Sequence, residues 1–418
     1  MSDSANSVLS LRRYLTLSTM LGIFSSILNV DIGSTVFLFY LVMLVNLLII
    51  WALTGRLFLP KWLAVLVILL TGSTVLGIAQ GTDTLMLGVK QLAAISLSAL
   101  YFANFFELED RPVADIWIQY CKLAYYFAVL ALIIWPFECV FTHEVVRLRG
   151  VMSEPAAFCL VTLPACYWYT YLRTITRSGG KEVFWMMLAL GASRSSLGFL
   201  GIALGLLLLF STRITWKTFV MPVITFGLLV VLYFISPDVR LRVDDTVTEA
   251  MAGDVSESGA NSNQSAYALV SNMYVTRRVL EVHPVMGNGL GSHVYSSERY
   301  LRDLPGVNAL IQLGWDPGIN THDAASLTLR LLSEMGVVGL IAFLAFVFHF
   351  RVGKAGPRKA ISNAILIVFF EKLMRGGGYA NPELFFFVLV YVLNYREDRL
   401  SIPGSASAQL RLSPADAH

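Results

Sequence analysis

The chain has few charged residues. They make up 14% of its 418 positions, whereas 56% of the positions are hydrophobic. Soluble domains carry roughly 25% charged residues, so this composition indicates an integral membrane protein with several spans. The formal net charge of +3 is too small to favour binding to nucleic acid. The distribution of the charges along the chain is therefore more informative than their sum.

Cysteine is also scarce, and its spacing excludes the usual metal motifs. The four cysteines lie inside or at the ends of apolar segments, without a CxxC pair or a Cys/His cluster: Cys121, Cys139, Cys159 and Cys166. We interpret them as small buried hydrophobic residues. A cleavable signal-peptide pattern is missing as well, because the first apolar segment follows Arg12 and Arg13 and leads directly into a second one. We therefore expect the first segment to be retained as an anchor.

Long apolar runs dominate the remainder. A helix that crosses a bilayer needs roughly 20 apolar residues. This criterion predicts an all-α polytopic integral membrane protein with about twelve transmembrane helices, at residues 14–30, 35–53, 62–79, 85–106, 115–137, 155–172, 182–193, 196–211, 218–236, 335–350, 361–374 and 383–395. The domain division that follows is spans 1–9 in residues 1–236, a large periplasmic loop with short helices in 237–333, spans 10–12 in 334–395, and a disordered cytoplasmic tail in 396–418.

Lysine and arginine alternate between the loops in a way that gives an orientation. The loops NVDIGS and AQGTDT contain neither residue, whereas the connections on the other side are basic. The positive-inside rule then places both termini in the cytoplasm and residues 237–322 outside.

That orientation leaves a set of arginines on the outer side, where topology does not require them: Arg147, Arg149, Arg194, Arg240, Arg242, Arg277, Arg278, Arg299, Arg302 and Arg375. A guanidinium at the edge of the hydrocarbon is costly unless it has a partner or faces a wet cavity. Any one of them could contact lipid headgroups or pair with Glu154, Glu334 or Glu371. Because the set converges on one face, we favour an anion site.

The predicted outer loop contains the series Gly287, Gly289 and Gly291 in PVMGNGLGSH. Tight turns where the loop packs against the membrane helices are the favoured interpretation. Closely spaced glycines also expose backbone N–H groups, so Gly287 and Gly289 can support a bound anion. No strand of a βαβ unit precedes them, which excludes a dinucleotide-binding fold.

The loop ends in NTHDAASLTLRLLSEMG, where Thr321 or Asp323 can cap a helix that begins near His322. An imidazole at a helix N-terminus is favoured in its neutral form, which accepts a proton. Ser326 would follow one turn later on the same face. His143, His283 and His293 are competing histidines in the outer loops, and a surface or capping role for His322 is the alternative.

In their order and spacing these motifs resemble the O-antigen ligase and O-antigen polymerase superfamily of bacterial cell-envelope proteins, which includes exopolysaccharide repeat-unit polymerases. The resemblance covers residues 145–350 in motif and the whole chain in topology. It rests on Arg147 to Gly150 with Glu154-Pro155, Ser193-Arg194, the glycine series after Pro284, and His322. The chain departs from many relatives in having Asp323, rather than Asn, after the histidine.

The resemblance implies a metal-independent, inverting glycosyltransferase without a cofactor, located in the bacterial inner membrane with its active site on the periplasmic side. Its donor would be a glycan on undecaprenyl pyrophosphate, and His322 would be the base. Arg147, Arg149 and Arg194 would hold the pyrophosphate, with Arg277 or Arg278 as a weaker match. Glu154, Gly287, Gly289 and Asp323 would have supporting roles.

Two alternatives to a repeat-unit polymerase remain open. An O-antigen ligase would transfer the glycan to lipid A–core instead of to another lipid-linked glycan. The resemblance alone favours the polymerase slightly, because Ser153-Glu154-Pro155 follows the loop arginines. A polytopic transporter or flippase is the alternative from another class, although we find no internal repeat and few ionisable residues deep in the spans.

Overall fold

The computed structural model describes residues 2–25, 28–31, 35–82, 85–109, 111–210, 264–312 and 316–400, together with the single positions 234, 240, 244 and 314. In chain order its helices are α1 (Ser2–Ile23), α2 (Leu38–Thr54), α3 (Lys61–Ala79), α4 (Leu85–Leu108), α5 (Val113–Thr142), α6 (Pro155–Thr176), α7 (Gly180–Ser193), α8 (Ser196–Phe210), α9 (Gln264–Val282), α10 (His293–Tyr300), α11 (Val307–Gln312), α12 (Leu327–His349), α13 (Pro357–Met374) and α14 (Pro382–Leu400). A 3₁₀ turn, Leu301–Asp303, follows α10. The predicted ninth span, at residues 218–236, lies outside the described residues except for Phe234, and the tail beyond residue 400 lies wholly outside them.

Within the part of the chain that the structure describes, four helices are long and apolar enough to cross a membrane, namely α3, α4, α5 and α12. Each coincides with a predicted span. Helix α3 carries large apolar side chains on its surface, among them Ile68 and Leu69, which are 69% and 66% exposed. Exposed apolar faces of this kind are typical of helices in contact with lipid. The structure is therefore helical and compatible with a membrane protein.

The prediction was wrong at the end of the first span and at the start of the second span. Helix α1 ends at Ile23 and α2 begins at Leu38. Between them β1 (Asn29–Asp31) pairs antiparallel with β2 (Thr35–Phe37), and Val30 lies opposite Val36 in the register. Valine favours strands, which is consistent with the pairing of these two short segments.

Aromatic residues fill the centre of the bundle. Tyr101 and Phe102 of α4 pack with Tyr120 of α5 and with Phe386 and Phe387 of α14, all without exposed surface. Helix α6 packs against α5, α7, α8 and α13. This core holds the helix ends at fixed positions, which matters because the candidate site consists of loops at one end.

Several loops meet at that end. Ser333 of α12 accepts a hydrogen bond from the backbone of Asn288, and Gly289 packs on Gly77 near the end of α3. Ala325, just before α12, accepts one from Gly376 after α13. Elsewhere at this end, Ala192 near the end of α7 accepts one from Leu148 after α5. We call this face the loop end of the bundle.

The glycine series lies against helices instead of facing solvent. Gly289 has φ +95°, and a Cβ there would lie 2.7 Å from Gly77 Cα and from Ser73 O. A Cβ at Gly291 would lie 2.8 Å from the backbone nitrogen of Gly88 in α4. Only glycine fits these positions, because both the backbone conformation and the space exclude a side chain.

We expect Gly289→Ala to destabilise the protein more than Gly81→Ala. Gly81 has a similar positive φ of +80°, but a Cβ there meets nothing within 4 Å. Alanine at Gly81 therefore carries only the cost of the left-handed conformation, roughly 1–2 kcal/mol. Thermal unfolding of the detergent-solubilised variants gives the comparison. Equal losses of stability would contradict the close packing of Gly289 on α3.

Candidate functional site

A buried histidine joins three elements at the loop end. His293 has no exposed surface, and its Nε2 and Nδ1 lie 2.8 Å from Asn272 Oδ1 and Ser333 Oγ, respectively. The amide nitrogen of Asn272 donates to the carbonyls of Ala268 and Ile319, which directs Oδ1 towards the ring. Nε2–H therefore donates to Asn272, and Nδ1 accepts from the Ser333 hydroxyl. The ring connects α9, α10 and α12.

A buried carboxylate lies one residue beyond Ser333. Glu334 is 1% exposed, and Arg330 Nε donates to its Oε1 at 3.1 Å. The Tyr379 hydroxyl donates to the other oxygen, and the guanidinium of Arg330 lies 4.0 Å from the centre of the Tyr379 ring. The Tyr379 oxygen is also 2.8 Å from the side-chain amide of Gln91 in α4. This buried ion pair has the additional hydrogen bonds that such a pair needs to be stable.

The glycine series packs against that glutamate. The backbone N–H groups of Gly291 and His293 lie near enough to the Glu334 carboxylate to stabilise its negative charge. The N–H of Gly289 donates to the Glu334 carbonyl at 2.8 Å. The structure thus shows the glycine series packed on the start of α12 and on α3 and α4.

His322 is exposed in the turn before α12. The prediction that a helix begins near His322 was wrong, because α12 begins at Leu327. Ser326 is its N-cap, and the Ser326 hydroxyl accepts from the backbone N–H of Leu329 at 3.1 Å. Positive φ angles at Asn320, Ala324 and Ala325 interrupt the helix earlier. The helix-terminus argument for His322, and the placement of Ser326 one turn later, therefore do not hold.

Hydrogen bonds on both sides fix the turn that carries His322. Before it, the Tyr267 hydroxyl donates to the Pro317 carbonyl at 3.1 Å, and Asn272 donates to Ile319. After it, Asp323 Oδ1 accepts from the backbone N–H of Ala325 at 3.0 Å. Asp323 therefore closes the turn locally, as the short carboxylate of an Asx turn does.

The loop between α13 and α14 contacts the same turn. The N–H of Gly376 donates to the Ala325 carbonyl at 3.0 Å, and Arg330 Nη1 donates to the Gly377 carbonyl at 3.2 Å. Gly377 also packs closely on the carbonyl oxygen of Asp323. The His322 turn is thus connected through Arg330 to the buried Glu334.

Two predicted phosphate-binding arginines share a second junction at the loop end. Arg147 is half-buried, and its Nε donates to the carbonyl of Ser193 at 3.2 Å. Arg194 follows directly as the exposed C-cap of α7, with a left-handed backbone of φ 46° and ψ 34°. Arg149 is exposed nearby, and its Nε lies 3.8 Å from Glu138 of α5. The structure therefore brings Arg147 and Arg194 together, while Arg149 has a carboxylate partner.

The remaining predicted residues lie apart from this junction. Arg277 and Arg278 are on the exposed face of α9, where Glu281 pairs with them at 3.2 Å and 3.0 Å. The two arginines lower the pKa of the Glu281 carboxyl, with Arg278 as the largest cause. Glu154 occupies the N-cap position of α6 and is exposed, and its side chain makes no capping hydrogen bond.

Among the residues that the structure describes, no three His, Cys, Asp or Glu side chains come close enough to hold a metal ion. The described arginines provide groups for anion binding, and His322 provides one for proton transfer. No family model, curated protein or solved structure matches the chain.

Sequence reasoning missed most of the buried network. Arg330, Tyr379 and Gln91 were not singled out, Glu334 was considered only as a partner for an outer arginine, and His293 only as a competing base. The one available signal was the pair of charged residues, Arg330 and Glu334, spaced i,i+4 at the start of an apolar helix. Nothing local indicates that Tyr379 completes the pair, because it lies 45 residues from Glu334.

We expect acid to destabilise the folded protein through His293. Burial, followed by the nearby positive charge of Arg330, lowers the pKa of His293 to about 3 from its ordinary 6.5. Between these values the unfolded chain binds a proton that the folded protein does not bind. Stability is therefore complete above pH 6.5 and is lost as the pH falls through this window, by roughly 1.4 kcal/mol for each unit.

The control for this prediction is His293→Gln, which keeps a donor and an acceptor but binds no proton. Thermal unfolding in detergent is compared at about pH 7.5 and about pH 5.5, on either side of the ordinary histidine pKa. The wild type should lose more stability than the variant on acidification. Parallel losses would show that His293 is not held neutral.

Proposed function

We propose that the chain is an inverting, metal-independent glycosyltransferase of the bacterial inner membrane, an O-antigen or exopolysaccharide repeat-unit polymerase. It would transfer a glycan from undecaprenyl pyrophosphate to a sugar hydroxyl of a second lipid-linked glycan at the periplasmic face. The observation that carries this proposal is an exposed His322 on a fixed turn, at the same end of the bundle as the junction of Arg147 and Arg194. The motif order that resembles the polymerase and ligase superfamily supports it.

The chemistry requires a base and a group that stabilises the leaving pyrophosphate. His322 takes the proton of the acceptor hydroxyl while the hydroxyl oxygen bonds to the anomeric carbon. Attack from the face opposite the leaving group inverts that carbon, and the bond to the pyrophosphate oxygen breaks with its electron pair on the phosphate. Hydrogen bonds on both sides of the turn hold the main chain of His322 in place, so the base stays close to the reacting groups in this step.

Arginines suit the leaving group because a guanidinium matches phosphate oxygens with two parallel hydrogen bonds. Negative charge grows on the pyrophosphate as the bond breaks, and fixed cations at that position lower the barrier. Arg194 is exposed on a rigid helix cap, and the backbone carbonyl before it positions Arg147. We assign the donor pyrophosphate to these two residues, with Arg149 beside them.

We also propose a membrane topology for the chain. It comprises about twelve spans, both termini in the cytoplasm, and a large periplasmic loop between spans nine and ten. Helices α9, α10 and α11 would belong to that loop. Their packing on the start of α12 supports the assignment, because His293 and Asn272 tie them to the turn that carries His322.

Two other functions are candidates, and glycan profiling distinguishes them from the polymerase. An O-antigen ligase shares this chemistry and differs only in its acceptor, lipid A–core. A transporter or flippase is the candidate of another class, since transporters hold polar groups inside their helical core and Glu371 is fully buried in α13.

The experiment is glycan profiling of the parent bacterium without this protein, complemented with the wild type or with His322→Ala. Single repeats on lipid A–core in place of a ladder indicate a repeat-unit polymerase. Bare core with accumulated lipid-linked polymer indicates a ligase. Loss of secreted polymer with normal lipopolysaccharide indicates an exopolysaccharide polymerase. Unchanged glycans would contradict the enzyme and favour the transporter.

We expect His322→Ala to reduce glycan transfer by roughly 10²–10⁴-fold, the contribution of a general base, while the protein still accumulates in the membrane. His143→Ala is the matched control, because His143 is also an exposed loop histidine and lies before the Arg147 junction. It should support normal transfer. Near-normal output from the His322 variant would remove this residue from the mechanism.

We expect Arg194→Lys to reduce transfer by roughly 10²-fold, because an ammonium does not replace the paired donors of a guanidinium on pyrophosphate. Arg56→Lys is the control, since Arg56 is exposed in the loop between α2 and α3 at the other end of the bundle. Output is measured as polymer per unit of membrane-inserted protein. Equal activity of the two variants would show that Arg194 does not hold the donor.

A further inference from the structure

Glu371 is an acidic residue inside the bundle that the proposed glycosyl transfer does not use. It lies in the last turn of α13 and has no exposed surface. Among the described residues, neither of its carboxyl oxygens has a hydrogen-bond partner. An ionisable group inside a membrane bundle is expected to have a function, because burying it is costly.

The carboxyl group points into the interface of α13 with α6 and α8. A Cβ added to Gly201 of α8 would lie 2.5 Å from Glu371 Oε1 and 2.6 Å from Leu163 of α6. Gly201 and Leu163, with Ile367 of α13, also line a cavity of about 240 Å³ between these helices and α7. The carboxyl group therefore lies next to an apolar cavity, beside Gly201 and Leu163, which line it.

The groups that face Glu371 from the neighbouring helices do not compensate a charge. Cys159 of α6 and Tyr120 of α5 interact with it electrostatically, and both are buried side chains that are neutral at physiological pH. Helix α8 has no ionisable residue in its sequence SLGFLGIALGLLLLF.

The cation Lys372 interacts electrostatically with the Glu371 carboxyl, but its ammonium group has other partners. Lys372, the next residue, donates through Nζ to the Gly378 carbonyl at 3.3 Å and lies 4.0 Å from Glu383 of α14. Arg330 of α12 is bound to Glu334. Glu334 thus provides a direct contrast with Glu371, since it is equally buried but surrounded by donors.

An ionised carboxylate without a partner is far more costly to bury than a neutral acid. We propose that Glu371 is a proton-binding site inside the helix bundle, held as the neutral carboxylic acid and able to exchange its proton with a base that reaches it along the cavity. On release the O–H bond breaks, its electron pair stays on the carboxylate, and the proton passes to the base. No hydrogen bond between described residues has to break in this step.

The first test is labelling of the full chain in liposomes with dicyclohexylcarbodiimide, an apolar reagent that adds to protonated carboxyl groups. The acid O–H adds across one C=N bond to give an O-acylisourea, which rearranges to a stable N-acylurea. We expect labelling at Glu371, at least about tenfold faster than at Glu334, whose carboxylate is held by Arg330 and Tyr379. Peptide mass spectrometry locates the adduct.

The labelling rate should fall as the pH rises, since the reaction requires the proton. Glu281 is the exposed control, and it should remain unlabelled near neutral pH because its arginine partners keep it ionised. Preferential labelling of Glu334, or labelling of Glu371 at a rate independent of pH, would overturn the proposal.

The variant Glu371→Gln provides a second test of whether Glu371 is protonated, and this test applies even if the reagent does not reach Glu371. In the unfolded chain a glutamate loses its proton above about pH 4.3. If the folded wild type retains that proton, its unfolding temperature falls relative to Glu371→Gln as the pH rises above this value. Unfolding curves that shift in parallel for the two proteins would show that Glu371 is not protonated, and would overturn the proposal.

Discussion

The loop end of this protein depends on one buried carboxylate. The Glu334 carboxylate receives hydrogen bonds from Arg330 and from Tyr379, and the Glu334 backbone carbonyl accepts one from Gly289 in the glycine-rich loop. Removing one partner of such a buried charge costs about 3–5 kcal/mol, because the other partner is left uncompensated. Through Glu334 and Arg330, the loop before α10, the start of α12 and the loop between α13 and α14 form one connected structure. The turn that carries His322 rests on that structure.

Two histidines at this end have opposite environments and, we infer, opposite roles. The buried His293 has both ring nitrogens engaged, so it links elements and is unsuited to proton transfer with a substrate. His322 is exposed, and hydrogen bonds hold the backbone on either side of it. A catalytic base needs this combination of a free side chain and a fixed main chain.

Two buried glutamates also differ in their environments. Glu334 has Arg330 and Tyr379 as hydrogen-bond donors, whereas Glu371 is packed between apolar helices, and no described residue donates a hydrogen bond to its carboxyl group. Burial alone does not distinguish them, since both have almost no exposed surface. The arrangement of neighbouring donors determines which one holds an anion and which one can hold a proton.

Among the described residues, the sequence by itself determined the apolar helices α3, α4, α5 and α12, because a run of apolar residues of sufficient length has few other stable structures in a membrane. It also identified the residue types at the loop end, including His322, Arg147 and Arg194. It did not determine the start of α12, the hairpin before α2 or the function of the glycine series. Those depend on contacts between distant residues, such as Tyr379 with Gln91, which are 288 positions apart. Local patterns carry no information about such contacts, so only the tertiary structure decided which groups have partners.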